Sequence, residues 1–305
     1  LSRGLGDVYK RQGMNRQTRD ITTLGRGGSD TTAVALASAL DADYCEIYSD
    51  VDGVFTADPR IVSAAHKLNE VSSEEMLEMA ANGAKILHLR CVEYARRFKI
   101  KLHVRSSFSD LEGTWVIPTE SDADAPDLTK EIPLEQPLIS GVAHDRTQAK
   151  VTIVDVPDVP GYASKIFGSL NDAKINLDMI VQNVSTRSES RTDISFTLPQ
   201  DQGDAAIEVL KGVQAEIGFA DIEYNDAIGK LSLVGAGMKS NPGVSFHFFD
   251  ALSSAGVNID MISTSEIRIS VITRADLLDA AVRAVHTAFD LDAEGEATVY
   301  GGTGR

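Results

Sequence analysis

Residues 22–33 read TTLGRGGSDTTA. Arg26 stands among Gly25, Gly27 and Gly28, and Asp30 follows at the expected start of a helix. A guanidinium matches both oxygens of a carboxylate. Asp30 can meet an ammonium, and the glycines let backbone approach a ligand closely. The same residues also fit a glycine turn with a surface salt bridge and an N-cap. GRGGSD is neither the Walker pattern nor the dinucleotide fingerprint. A second group lies in SDVDGVFTADPR, residues 49–60, directly after an apolar run. Ser49, Asp50, Phe55 and Arg60 stand there, in a loop after a strand, where α/β sheets bind ligands. An Asp-rich surface turn is the plainer reading. A calcium loop is disfavoured because the EF-hand glutamate and its spacing are missing. Lys85 comes after Gly83 at an expected helix start, where anions are favoured; a solvated helix lysine would look the same. His88 and Cys91 complete no nucleophile–base–acid set and are read as structural.

The elements that carry these residues alternate. The pattern predicts a strand over 20–24, a turn over 25–28, and a helix to about Leu40 capped by Ser29 or Asp30. Tyr44–Tyr48 is a strand. Ser72 and Glu75 make a capping box, and Gly83 ends the helix begun there. Residues 84–98 form a second helix, and residues 100–107 a strand. Such alternation implies a parallel sheet with helices on its faces. Residues 109–137, rich in proline and acids, read as a linker. The first 13 residues, LSRGLGDVYKRQG, fit poorly with the rest of the chain and are expected to be a foreign or misassembled end.

An internal repeat organises the C-terminal part. Pro160-Gly161, Phe167, Leu170, Ala173, Asn176, Asp178, Met179 and Ile180 recur 82 residues later as Pro242-Gly243, Phe249, Leu252, Ala255, Asn258, Asp260, Met261 and Ile262. Each copy is expected to be a ferredoxin-like βαββαβ unit, over 138–228 and 229–305, with a first strand near 138–144 that can pair with the second unit. The Pro-Gly turns open helices whose free N–H groups can take an effector carboxylate. Asp158 lies beside the first turn, and Asn176 and Gln182 lie on the adjoining strand.

The 305 residues suffice for two or three domains. A net charge of −16 argues against nucleic-acid and anionic-membrane partners. Two cysteines without CxxC spacing argue against a zinc site or disulfide framework. No apolar run is long enough to span a bilayer, so a cytoplasmic protein is expected.

Two Pro-Gly units followed by N-[LI]-D-M-I resemble ACT domains, which sense small molecules. TTLGRGGSDTTA, YSDVDGVFTADPR and GAKILHLRCVEYA, in that order, resemble aspartokinases of the amino-acid kinase family. QNVS, GAGMKS, STSEIRISV and the terminal GTGR point to the actinobacterial, lysine- and threonine-sensing kind. The resemblance implies an α/β kinase domain followed by two ACT domains. It implies L-aspartate bound by Gly25, Arg26 and Asp30, with Arg26 and Asp30 as catalytic residues. Ser49, Asp50, Phe55, Arg60 and Lys85 would bind ATP, a co-substrate with Mg2+ held mostly by phosphates and water. Neither a protein metal ligand nor a tightly bound cofactor is implied. Lysine and threonine would bind as effectors around Asp158, Gly161, Ala163, Asn176 and Gln182, with Asn258 and Ile259 of a partner chain. Met238, Ser240, Thr264, Ser265 and Glu266 fall where the family tunes its lysine response. Homo- or hetero-oligomers through ACT domains are implied. The family's opening strand and Lys-containing glycine loop are not among these residues, so the chain is expected to be a fragment lacking activity by itself. A non-catalytic regulatory subunit is the second reading. A glutamate or uridylate kinase is the third, and the tandem sensor units weigh against it.

Overall fold

The computed structural model describes residues 12–118, 138–184, 191–236, 238 and 241–300. It opens with an antiparallel hairpin of β1 (Gln12–Met14) and β2 (Ile21–Thr23). Gln12 and Gly13, expected to belong to the foreign end, form part of this first strand.

Helix α1 spans Gly28–Ala39. Its N-cap is Gly27, in the left-handed region at φ 71°, and no side chain caps it. Ser29 and Asp30 are therefore inside the helix rather than at its cap. Asp30 is in the first turn, where its charge favours the positive end of the helix dipole.

The N-terminal sheet comprises β3 (Tyr44–Ser49), β4 (Glu70–Ser72), β5 (Lys101–Ser106) and β6 (Thr114–Ile117), in the order β3-β5-β6-β4. It is mixed rather than wholly parallel: β3 with β5 and β4 with β6 run parallel, while β5 and β6 are antiparallel. The β6 strand corrects the linker assignment. Thr114 and Val116 are buried in the sheet, and the Trp115 ring stacks on His103 at 3.9 Å. Helix α2 (Ser73–Ala81) starts at the expected capping box, with Ser72 and Glu75 exchanging side chain–backbone bonds. Helix α3 spans Leu89–Phe98 and is capped by His88. Residues 84–88 are therefore not helical, and Lys85 lies on the connection ahead of α3. Val34, Ala37, Met76, Met79, Cys91, Val92 and Ala95 of the helices pack on Cys45, Ile47, Leu102 and Val104 of the sheet.

The first repeat is a four-stranded antiparallel sheet, β11-β8-β10-β9. Its strands are β8 (Gln148–Pro157), β9 (Ile180–Val184), β10 (Arg191–Pro199) and β11 (Asp221–Asn225). Helices α4 (Tyr162–Asp172) and α5 (Gly203–Ile217) bury Ile166, Leu170, Ala206 and Leu210 against it. The second repeat has β12 (Ile228–Ala236), α6 (Pro242–Ser254), β13 (Met261–Thr264), β14 (Arg268–Arg274) and α7 (Leu278–Ala288). Its fourth strand comes from upstream: β7 (Leu138–Asp145) pairs antiparallel with β12. After α7 the chain leaves the unit and bridges the N-terminal domain instead, pairing Asp292 with Ala65 and Val299 with Val51. The expected closing strand of the second copy is thus replaced by one contributed by residues that precede the first copy.

The N-terminal domain and the second repeat share one hydrophobic core. Ala57, Val62 and Ala65 are buried with Leu231, Phe248, Val271, Val282 and Val285. Polar bonds run alongside: Ser140 Oγ donates to Glu75 Oε1 at 2.5 Å, and Ser232 Oγ donates to Asn82 Oδ1 at 3.0 Å. Arg268 reaches Asn82 Oδ1 at 3.2 Å. Glu75 therefore caps the start of a helix and docks a second domain with the same carboxylate.

Candidate functional site

A cavity of about 320 Å³ opens where the loop after β3, the connection between α2 and α3, and strand β7 converge. Asp30, Ser49, Asp50, Phe55, Arg60 and Lys85 all line it. These residues span helix α1, the acidic loop and the residues after Gly83, so three sequence motifs meet at one place. Arg60 stands between two carboxylates, 3.5 Å from Asp50 Oδ2 and 4.0 Å from Asp58 Oδ1. The Ser49 hydroxyl accepts the Val51 N–H at 3.1 Å and shapes the loop's first turn. Val54 and the buried Thr56 anchor that loop, Val54 through Thr114 Oγ1 at 2.8 Å and Thr56 through His286 Nε2, also at 2.8 Å. Lys85 makes no ion pair among the described residues, so the crevice holds a cation without a fixed counter-charge.

The geometry does not bring Arg26 into this lining. Its side chain is exposed, and so is Gly25, which sits at φ 74°. What the structure does fix is the loop's backbone. Arg90 Nη2 donates to the Leu24 carbonyl at 2.8 Å and to the Arg26 carbonyl at 2.7 Å. The His88 ring lies so close to Gly27 that a Cβ there would sit 2.1 Å from its Cγ. His88 and Arg90 thus cradle the glycine turn from the start of α3. Sequence reading missed Arg90, because no local spacing links residues 26 and 90.

Phe108, Asp58 and His144 also line the crevice without having been singled out. His144 arrives on β7, a strand of the second repeat. Burial lowers its pKa below the ordinary histidine value, with Arg146 and Lys85 adding in the same direction and Asp58 and Asp279 opposing. The two cysteines are buried and free. Burial, reinforced by the Asp30 charge, raises both thiol pKa values, which removes them as nucleophiles at neutral pH. Among the described residues no group of three or more His, Cys, Asp or Glu is arranged to hold a metal ion.

The amino acid kinase family matches residues 8–106, and the ACT domain matches residues 151–213 and 231–289. An aspartokinase of Mycobacterium tuberculosis (strain ATCC 25618 / H37Rv) is 59% identical over 294 residues, covering 96% of this chain and 68% of that protein. The chain belongs to the aspartokinase family. The aspartokinase of Corynebacterium glutamicum is 57% identical over 294 residues, with 96% and 68% covered. Among solved structures, Escherichia coli aspartokinase III in complex with aspartate and ADP (R-state) superposes with a TM-score of 0.75 at 29% identity. That match covers 92% of this chain and 59% of the E. coli chain, so the chain spans about three fifths of that aspartokinase.

The residues expected to bind effectors are spread over both ACT units of this aspartokinase chain. Asp158 is exposed ahead of α4, Gly161 is its left-handed N-cap at φ 102°, and Ala163 is in its first turn. Asn176 is exposed, its N–H donating to Gln202 Oε1 at 2.9 Å, and Gln182 is exposed on the edge strand β9. Asn258 is exposed, while its carbonyl accepts the Thr273 hydroxyl at 2.7 Å. Ile259 packs against the second unit's core, and Thr264, Ser265 and Glu266 form the exposed end and turn after β13. Met238 is 4% exposed and part of that core, so any influence on an effector would run through packing rather than contact. Ser240 lies outside the described residues. No helix among those residues is long and apolar enough to cross a membrane.

Proposed function

We propose that this chain is the rear portion of an aspartate kinase that phosphorylates L-aspartate with ATP to give 4-phospho-L-aspartate. The observation that carries this reading is the convergence of Asp30, Ser49, Asp50, Phe55, Arg60 and Lys85 on one crevice. The related E. coli structure holds aspartate and ADP, which supports the same ligand pair here. Asp50 and Phe55 would hold the adenosine part. Arg60 and Lys85 would neutralise the phosphates, and Mg2+ would arrive with the nucleotide.

Phosphoryl transfer depends mainly on positioning and on neutralising charge. Arg26 would grip the α-carboxylate of aspartate by a paired hydrogen bond, and Asp30 its ammonium. The side-chain carboxylate oxygen then attacks the γ-phosphate, releasing ADP and leaving an acyl phosphate, with no covalent bond to the protein. Arg90 holds the Arg26 backbone carbonyl and leaves the guanidinium exposed for such a ligand.

The two ACT units would bind lysine, threonine or both, and pair with those of another chain. Feedback would act as a coupling of about 1–3 kcal/mol between effector and kinase sites. The continuous core between the second unit and the acidic loop supports such coupling.

Calorimetry of the 305-residue chain with Mg-ADP tests the central claim. Binding that is lost in Lys85→Ala and Arg60→Ala is expected; equal heats for wild type and both variants would refute it. Titration of lysine and threonine against the same chain tests the sensor claim, and absence of heat at millimolar ligand would end it.

A further inference from the structure

We propose that His144, supplied by the second ACT unit, contacts the polyphosphate of the bound nucleotide and so belongs to the kinase site itself. This rests on the nucleotide reading of the crevice.

Three observations lead there. First, β7 is an integral strand of the second sheet, paired along its length with β12. It is also clamped to both loops of the crevice. Val142 N–H donates to the Thr56 carbonyl at 2.6 Å. Gly83 lies so close that a Cβ there would be 2.0 Å from the His144 carbonyl oxygen. The strand is therefore a fixed wall of the cavity. Second, His144 lines the cavity together with Lys85 and Asp58, and the charges of both act on its imidazole. Among the described residues its ring nitrogens have no hydrogen-bond partner. The residue is only half-buried, so water can meet the imidazole N–H until a ligand acceptor displaces it, and that donor is free for an anion in the crevice. Third, the charged groups around it are Lys85 and Arg146 on one side and Asp58 and Asp279 on the other. Lys85 is the cation expected on the phosphates, so an anion seated there also faces His144. A neutral imidazole N–H can donate to a phosphate oxygen at no charge cost. An approaching anion would then favour protonation, strengthening the bond.

The consequence is direct contact between a regulatory sheet and the phosphoryl donor. Any effector that shifts β7 would move a nucleotide ligand without a relay.

The test is imidazole-selective 15N NMR of the 305-residue chain, with the His144 signal assigned by its loss in His144→Gln. Probes are Mg-ADP, magnesium tripolyphosphate and adenosine. Mg-ADP and tripolyphosphate should move the His144 signal and raise its pKa, and adenosine should leave it in place. His144→Ala should weaken Mg-ADP about 3- to 10-fold, the loss of one neutral hydrogen bond, with His144→Gln recovering most of it. If, in a uniformly 15N-labelled sample of the same chain, Mg-ADP perturbs the Phe55 and Lys85 amide signals while the His144 ring signal stays still, the His144 assignment falls and the nucleotide reading survives. If no crevice signal responds, both fall. A His144 shift with adenosine alone would overturn the polyphosphate contact.

Discussion

The Nε2 of His286 lies 2.8 Å from the Oγ1 of Thr56, both side chains almost fully buried. One belongs to the last helix of the second ACT unit and the other to the acidic loop of the kinase part. Asp292 holds the far nitrogen, Nδ1, at 2.9 Å. The ring thus pins the loop that carries Phe55, Asp58 and Arg60. His286→Ala removes the bond and leaves a cavity, which should cost about 2–4 kcal/mol. Urea unfolding reads this directly. A loss under about 0.5 kcal/mol, the usual range for surface substitutions, would show that the ring does not hold the loop.

The same histidine makes stability depend on pH. Burial lowers its pKa in the folded state, and the Asp292 contact only partly opposes this. The unfolded chain titrates near the ordinary value of about 6.5 and so binds more protons below it. Stability should be flat above about pH 7 and fall as the pH drops through and below that value. Burial acts on His144 in the same direction. Melting temperatures of wild type and His286→Gln across this range provide the check: the variant should have the shallower slope.

Two ion pairs on the repeated aspartates cross-link the two ACT units reciprocally. Lys230 Nζ lies 2.5 Å from Asp178, and Lys150 Nζ lies 3.5 Å from Asp260. Lys230 is 1% exposed and Lys150 22%. Asp178→Ala would strand a buried ammonium, costing about 2–3 kcal/mol, less than for a fully enclosed pair because Asp178 remains open to water. Asp260→Ala should cost under about 1 kcal/mol. Equal effects in thermal denaturation would contradict the burial argument. The double change Lys230→Met with Asp178→Leu should recover most of the loss.

Arg90 and Gly27 should control the glycine loop over residues 24–28. Arg90→Ala removes both guanidinium contacts to the carbonyls of Leu24 and Arg26. Global stability should fall by only about 1–2 kcal/mol, while amide exchange over residues 22–28 accelerates strongly. Gly27→Ala places a Cβ against the His88 ring at a backbone angle of φ 71° and should cost about 1–3 kcal/mol. Unchanged exchange in Arg90→Ala would remove that residue from the loop's support.

Gly83→Ala should separate the kinase part from the second ACT unit. Its Cβ would meet the His144 carbonyl at 2.0 Å, and φ is already +107°. Backbone stands on both sides, so neither can yield by a rotamer change. Limited proteolysis should cut the connection around residues 82–88 faster than in wild type. An unaltered cleavage pattern would mean that the contact is not needed for docking.

Much of this molecule is local and was therefore legible in the residues. The capping box at Ser72 and Glu75, the strands around Tyr44 and Lys101, and the repeat with its Pro-Gly helix starts all arise from short-range spacing. The family motifs likewise marked Asp30, Asp50, Phe55, Arg60 and Lys85, which the fold gathers into one crevice. Other features depend on pairings across long stretches of chain. The residues near 138–144 read as a strand that can pair with the second unit, but nothing near Leu138–Asp145 states that its partner is β12, some ninety residues later. Residues 114–117 look like linker because their strand is short and one of its two partners, β4, lies far upstream. His144 joins the cavity and Arg90 reaches the glycine turn only after three elements have packed. Sequence alone determined the elements, the duplication and the chemical types brought to the site. Tertiary structure decided which edge each strand completes and which side chains face one another, because hydrogen-bond ladders and shared cores select among partners that local propensity leaves equivalent.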